Sequence, residues 1–485
     1  MMGLMLVATP AVADDGDETA AADAPQIDEG ADEPQNHPAL EEAIAGVLED
    51  SELQQTDISI HVEDLTDGEI LYSRQADQRM NPASNVKLLT AAVVLDQLGP
   101  NHVFSTKLIT NSNSDGRLDD LYVRGEGEAF LLYEDVLHWA SQLRSRGIEA
   151  IDGDVVIDDK VFDAGYLPPG FDLRDSGAAY RSPIGAVSVN FNAITAEIEP
   201  ADQPGEAPTV RVSPPNTYVQ VDNQAQTVQG SLPHIEVTST PTEEGTRLTI
   251  GGTIGVNADT VSQRKRIDDP PAFTGSVIAE AMGMVGIDFD GQVRHGAAPT
   301  EGEELLDHRS APLMEAVWAM NKWSNNFIAE QLLRVLGNDG DDPSTWEAAL
   351  NRAEETLEEF GFAPDSYRLN NGSGLYDGNE LTARQIVGLL RQMNTHRYGP
   401  EFASSLAIAG VDGTLAHRLD DDLTKSNLRA KTGTLRDVTA LSGYMETAGG
   451  RTVAFSILFN DPPRRAWHFR DRQDDIALAI AGFDQ

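Results

Sequence analysis

From residue 312 onward, apolar positions recur every third or fourth place through "PLMEAVWAMNKWSNNFIAEQLLRVLG", "TWEAALNRAEETLEEFG" and "TARQIVGLLRQM", a spacing that predicts long amphipathic helices. The pattern then changes to period two. "LRAKTGTLR", "VTALSGYMET" and "TVAFSILFN" read as three strands, closed by a helix over "RQDDIALAIAGF". The other end of the chain has the same texture: "ALEEAIAGVLEDSEL" is helical, and "DISIHVEDLTDGEILYSRQ" is two alternating strands joined by a turn at Asp67-Gly68. Next comes "NPASNVKLLTAAVVLDQLGP", which opens polar, turns into an apolar run and stops at Gly99-Pro100.

Between about 106 and 300 the elements shorten. "LYVRGEGEAFLL", a helical "YEDVLHWASQLRSRGI" and "GDVVIDD" predict a small α/β unit, to which the helix in "FTGSVIAEAMGMVGIDFDG" returns. From 186 to about 260 almost everything is strand-like, as in "AITAEIE", "TVRVS", "YVQVD", "HIEVTST" and "RLTIGGTI". No fixed-period repeat is present. The expectation is an α/β (α+β) protein whose termini build one domain, interrupted by a long insertion.

A length of 485 residues suits two or three domains. With 79 acidic against 35 basic residues, the net charge of -44 would repel phosphate backbones and anionic lipid, so no nucleic-acid partner is expected. The basic residues are 28 Arg and 7 Lys. An acid-coated surface suited to high salt accounts for that balance. There is no cysteine, hence no disulfide, thiol nucleophile or Cys-based metal site. Residues 1–13, "MMGLMLVATPAVA", contain a short apolar stretch and an Ala11-Val12-Ala13 triplet of the kind that precedes signal cleavage. The basic n-region of a signal is missing, so either the start lies further upstream or this is no signal; export is the expectation. Residues 14–36 hold nine Asp/Glu and no Lys or Arg and read as a disordered acidic leader, without the loop spacing of a calcium site. No stretch is long and apolar enough to span a bilayer.

Ser84 and Lys87 are neighbours on one helical face, with Pro82 just ahead of a helix start. A serine hydroxyl needs a base, and a lysine can serve where burial favours the neutral amine. Any Ser-x-x-Lys taken alone is usually an ordinary first turn. Ser262 and Lys265 repeat the pattern among charged flanks and two prolines, where the amine stays solvated. Behind Ser84 the "LLTAAVVL" run demands a buried helix, which puts Lys87 at the edge of a core. Ser324-Asn325-Asn326 is a second constellation; Ser and Asn two apart diverge on an ideal helix, so they need a turn or helix end to share a site. Ser188-Val189-Asn190 has the same form but is expected in a strand. The third is Lys431-Thr432-Gly433-Thr434, on an edge strand where Gly433 would admit a substrate backbone and the cation and hydroxyls would meet a carboxylate. An exposed turn is the bland reading of that tetrapeptide.

Taken in order, Ser-x-x-Lys, Ser-x-Asn and Lys-Thr-Gly are the motif set of the serine penicillin-recognising enzymes. The wider phrases "NPASNVKLLTAA", "MNKWSNNFIAEQLLR", "NNGSGL", "GVDGTL" and "AKTGTLRDVTALSGY", with "GDVVIDD" and "SPIGAVSVNFN", resemble the class C low-molecular-mass penicillin-binding proteins, the D-alanyl-D-alanine carboxypeptidases/endopeptidases, from about 40 to 480. That resemblance implies a transpeptidase-like catalytic domain over 37–105 and 301–485, an inserted α/β domain over 106–185 and 262–300, and an inserted β-rich domain over 186–261. The insertion lies within the 240 residues between Ser84 and Ser324. Asn370-Asn371 stands where an Asp is expected near the Gly-Ser-Gly.

The resemblance further implies that Ser84 is acylated by the penultimate D-Ala carbonyl of a peptidoglycan stem peptide or crosslink, with Lys87 as base. Ser324 with Lys431 would pass the proton to the leaving amine. Asn326 would hold the substrate amide; Lys431, Thr432 and Thr434 would bind the terminal carboxylate beside Gly433, and the Ser84 and Thr434 N–H groups would form an oxyanion hole. No metal or other cofactor is implied. β-Lactams would act as inhibitors, the location would be periplasmic, and a homo-oligomer is compatible with the sequence. A β-lactamase or esterase on the same scaffold is the alternative enzyme. A cell-wall scaffold that has lost catalysis is disfavoured by three intact motifs.

Overall fold

The structure, a computed structural model, describes residues 37–173, 177–340 and 342–485. Residues 1–36, where the sequence suggested a signal remnant and an acidic leader, lie outside the described residues. A six-stranded antiparallel sheet is built from both ends of the chain, in the order Ala407–Ile408, Arg429–Thr434, Val438–Glu446, Thr452–Asn460, Asp57–Asp64 and Ile70–Arg74. Asp57–Asp64 pairs along its whole length with Thr452–Asn460, which ties the first strand to the last. The middle strands are buried on both faces, as a three-layer arrangement requires. Phe455, Ile457 and Phe459 face a core closed by the helices Pro38–Leu48 and Arg470–Ala481. Ala454 and Leu458 face the other way, into a larger core with the helices Val86–Leu98, Leu313–Trp323, Asn326–Leu336, Trp346–Glu359 and Ala383–Thr395.

The chain leaves this body along Ser105–Thr110 and returns along Glu303–Arg309, and these two strands are hydrogen-bonded antiparallel to each other. They complete a five-stranded sheet with Leu121–Gly125, Val155–Asp158 and Val293–His295. The strand Glu303–Arg309, grouped with the catalytic part on sequence grounds, is thus bonded into the inserted sheet. Val261–Arg266 likewise pairs with Ala193–Glu199 in the β-rich part, next to Thr209–Ser213. A four-stranded sheet centred on Gly245–Gly255 completes that part. The α/β and β-rich pieces share one core: Trp139, Phe273, Ile194 and Leu248 belong to a single cluster. Among the described residues no helix is long and apolar enough to cross a membrane.

Two local expectations change. The helix predicted through 312–337 breaks at Ser324, whose backbone is left-handed at φ 55°, and restarts at Asn326 with the Asn325 side chain accepting from the Ile328 N–H at 3.1 Å. Ser188-Val189-Asn190, expected in a strand, leads instead into a tight turn, because Asn190, Phe191 and Asn192 all have positive φ. Ser188 Oγ accepts there from Asn192 Nδ2 at 2.8 Å and Asn190 Oδ1 accepts from the Tyr133 N–H at 2.8 Å, so both side chains of this motif serve the fold.

His61 is buried on Asp57–Asp64, and burial, with Arg384 and Arg391 nearby, holds its pKa down at about 3. The folded state therefore resists a proton that the unfolded chain accepts below about 6.5, so stability falls as pH drops from 6.5 toward 3. His61→Gln is expected to flatten urea-unfolding stability against pH in that window by roughly 1.4 kcal/mol per pH unit; an unchanged slope would contradict this assignment.

Candidate active site

Ser84 sits in a single tight turn, Ala83–Asn85, that runs directly into the helix Val86–Leu98. Three contacts hold the turn: the Ala83 N–H donates to Asn81 Oδ1 at 2.9 Å, Asn85 Nδ2 donates to Ser442 Oγ at 2.8 Å, and Asn460 Nδ2 donates to the Asn81 carbonyl at 3.0 Å. Ala83 carries a positive φ of 46°, the kind of backbone strain that needs such support. The helix behind is buried from Val86 to Leu95, so Lys87 enters the core with it.

Lys87 is fully buried, and its Nζ donates to Ser84 Oγ at 3.0 Å, Asn326 Oδ1 at 2.8 Å and the Ser373 carbonyl at 2.6 Å. Desolvation lowers its pKa to about 7, against a smaller upward pull from Glu330. The helix break described above turns Ser324 and Asn326 toward the same point. Ser324 Oγ accepts from Lys431 Nζ at 2.9 Å, and Asn326 Nδ2 donates to the Tyr180 carbonyl at 3.0 Å. Lys431 is also fully buried; desolvation and, secondarily, the Lys87 charge hold its pKa well below that of a free lysine. Thr432 donates to Thr414 Oγ1 at 2.8 Å, which anchors the "GVDGTL" loop.

The strand Arg429–Thr434 meets Ala407–Ile408 only at Arg429 and Ala430, so the outer edge of Lys431 to Thr434 has no strand partner. That edge closes on the serine turn. A Cβ at Gly433 would lie 3.0 Å from both Ala83 Cβ and the Pro82 carbonyl oxygen. Gly433 therefore admits the protein's own serine turn, where the sequence suggested close approach of a substrate. Gly374, at φ 74°, is tighter still: a Cβ would stand 1.8 Å from the Ala83 carbonyl oxygen.

Ser84, Ser324, Asn326 and Thr434 line an open groove of about 700 Å³. Its rim carries Asp57, Asp377, Glu380, Asp437 and Asp461 against Arg79 and Arg436. All eight residues singled out from the sequence lie at this groove or directly behind it. Ser262 and Lys265 do not; they lie on a strand of the insertion. In the "NNGSGL" loop, Asn371 Oδ1 accepts from the Gly374 N–H at 2.9 Å and Asn379 Nδ2 at 3.0 Å, so the asparagine at this position itself shapes the loop. Among the described residues no group of three His, Asp or Glu side chains could hold a metal ion.

Three residues here escaped the sequence reading. Glu330 is completely buried one turn beyond Asn326. Arg470 donates to Thr434 Oγ1 at 3.1 Å from a half-buried position, where desolvation lowers its pKa. Tyr180 comes from the insertion and is largely exposed at the rim, 58 % by relative area. Along the Asn326 helix Glu330 is one of several polar residues inside the core, with Gln331 and Arg334, so its place in the sequence does not single it out.

Residues 40–481 match the model of the D-Ala-D-Ala carboxypeptidase 3 (S13) family. The chain belongs to this family. It is a serine-type D-alanyl-D-alanine carboxypeptidase, and the β-lactamase or esterase alternative is not favoured. It is 34% identical over 437 residues to a D-alanyl-D-alanine carboxypeptidase of an Actinomadura species, which covers 87% of this chain and 81% of that one. Among solved structures it resembles penicillin binding protein 4 (dacB) from Haemophilus influenzae, with a TM-score of 0.78, 24% identity and coverage of 91% and 99% of the two chains. The same H. influenzae protein complexed with a β-lactam matches with a TM-score of 0.73 and 23% identity, over 90% and 98% of the chains. Those likenesses extend through the insertion as well as the catalytic sheet.

Gly374→Ala is expected to push the Ala83 carbonyl away and misplace Ser84. Penicillin acylation should slow on the order of 10²-fold, as a roughly 1 Å misplacement of a catalytic group can do. Stopped-flow acylation of a variant with a native circular dichroism spectrum checks this, and a wild-type rate would refute it.

Proposed function

We propose that the reaction runs through an acyl-enzyme on Ser84, with peptidoglycan stem peptides and crosslinks as substrates. The observation that supports it most directly is the chain of contacts from Ser84 Oγ to Lys87 and Asn326, with Ser324 and Lys431 converging on the same groove. With a pKa near 7, Lys87 is neutral in a large fraction of molecules at neutral pH and can take the Ser84 proton as Oγ adds to the penultimate D-Ala carbonyl. The oxyanion that forms would be met by the N–H groups of Ser84 and Thr434. Collapse breaks the C–N bond as Ser324 gives its hydroxyl proton to the leaving D-Ala amine or crosslink amine and regains one from Lys431, which donates to its Oγ. Water then adds to the ester and Ser84 is released with its proton restored.

Substrate placement follows from the same residues. Asn326 would hold the amide on the acyl side, while Lys431, Thr432 and Thr434 bind the terminal carboxylate beside the strand edge. Arg470, bonded to Thr434, adds positive charge behind that carboxylate. An anion here favours the charged form of Lys431, and its charge in turn favours neutral Lys87, so substrate arrival would prepare the base. A β-lactam, which presents an acyl group and a carboxylate in the same relation, would acylate Ser84. The groove therefore serves carboxypeptidase and endopeptidase substrates alike. A protein acting on peptidoglycan works outside the cytoplasmic membrane, in agreement with the apolar stretch and Ala-Val-Ala triplet at the start of the chain, and the charge of -44 fits a saline surrounding.

Two measurements bear on this. Ser84→Ala should lose both covalent penicillin label and D-Ala release from a stem pentapeptide; label retained on the variant would sink the assignment. The acylation rate should rise with pH through about 7 as Lys87 loses its proton and fall away below it. A flat profile between pH 6 and 8 would remove Lys87 as the base.

A further inference from the structure

Gly372 and Ser373 are gripped from two sides. From the helix Asn326–Leu336, Glu330 accepts the Gly372 N–H at 3.1 Å on Oε2 and the Ser373 N–H at 2.9 Å on Oε1. From the helix Val86–Leu98, Lys87 donates to the Ser373 carbonyl at 2.6 Å and Thr90 Oγ1 donates to the Gly372 carbonyl at 2.7 Å. Glu330 is 0 % exposed, and so is Lys87. Glu330 also lies four residues beyond Asn326, on the same helical face, and Asn326 is itself a partner of Lys87. We propose that Glu330 is a positioning residue for acylation: through the Gly372–Ser373 backbone and as a buried countercharge, it sets the place and the protonation of the Lys87 amine. This rests on Lys87 being the base.

A buried carboxylate is costly unless its lone pairs and its charge are both answered. Two backbone N–H groups answer the lone pairs here. The charge is answered by Lys87: burial raises the Glu330 pKa, and the Ser373 and Gly372 bonds and the Lys87 charge pull it back down, while the same attraction raises the proton affinity of the lysine against the stronger effect of burial. The remaining charged groups are accounted for. Lys431, on the strand Arg429–Thr434, faces Lys87 and bonds Ser324. Arg334, one turn further along the Glu330 helix, is held by Asp163 and by the Ser344 carbonyl at 2.7 Å. Thus the Glu330 carboxylate acts on the amine that contacts the nucleophile. A leucine at 330 would satisfy the core but leave two buried N–H groups and an uncompensated lysine.

The test compares the pH profile of β-lactam acylation in the full-length enzyme with that of Glu330→Gln and Glu330→Asp. Removing the charge should move the acidic limb of the Gln variant to lower pH, because Lys87 then loses its proton more easily, while lowering the plateau at least about tenfold through the broken N–H contact. The Asp variant keeps the charge and should retain more of the wild-type limb position than Gln does. A Gln limb that stays where the wild-type limb lies, whatever its plateau, overturns the proposal. If Glu330→Gln does not fold alone, thermal melts of Lys87→Met and of the Lys87→Met/Glu330→Gln pair decide. Coupling requires the double variant to fold although Glu330→Gln alone does not, and a double variant that also fails to fold while Lys87→Met folds refutes it. Failure of the underlying reading would look different: the wild-type enzyme itself would show no limb near neutral pH.

Discussion

Two lysine amines buried at one site disfavour each other's protons. Lys87 and Lys431 are each 0 % exposed, desolvation is the leading cause of both lowered pKa values, and the Lys87 charge lowers that of Lys431 further. The two amines therefore do not titrate independently of each other. Everything else at the groove places donors and acceptors around that pair. Ser84 stands at one end, Ser324 at the other, and Asn326 accepts from Lys87 while donating to the rim. Arginine would keep its charge under the same burial, so a chain with 28 arginines and 7 lysines spends two of its few lysines here.

Holding two amines in a core requires backbone from distant parts of the chain to pack without side chains between them. The serine turn is pressed against the strand edge at Gly433 and against the Gly374 loop, and at both places a Cβ would collide with Pro82 or Ala83. The helix break at Ser324 has a similar origin. Its left-handed backbone lets a serine and an asparagine two residues apart face one point, which a continuous helix would forbid. Local strain at Ala83 and Ser324 is thus matched by the hydrogen bonds of Asn81 and Asn325.

The reach of the sequence follows from which of these interactions are local. Ser84 and Lys87 could be told from Ser262 and Lys265 because an apolar run next to the first pair forces burial, and the run is visible in the sequence. The strands of the C-terminal sheet were legible by their alternation, and the need for a turn at Ser324 followed from helical geometry alone. Glu330 was hidden because its helix is buried on nearly every side, with Gln331 and Arg334 inside as well, so no polar face marks the residues that matter. Arg470 acts across the sheet from a helix start, and nothing in its neighbourhood along the chain shows that Thr434 is its partner. The placement of Glu303–Arg309 depends on pairing with a strand about 200 residues away, which periodicity cannot indicate.

The insertion does more than separate two motifs. Its residues Phe171 and Arg181 pack on the catalytic body: Arg181 is buried, donates to the Phe171 carbonyl and lies 5.7 Å over the Tyr376 ring. Phe171, Leu375 and Tyr376 form a small core of their own, with Leu435 of the strand-edge loop against it. Tyr180 emerges from that anchored segment to accept from Asn326. The amide of Asn326 is therefore oriented by the insertion on one side and by Lys87 on the other, and the two contacts demand opposite ends of the same amide. Because the nitrogen is committed to Tyr180, the oxygen must face Lys87. In this way the inserted segment, remote in sequence from all three motifs, decides which atom of Asn326 Lys87 meets.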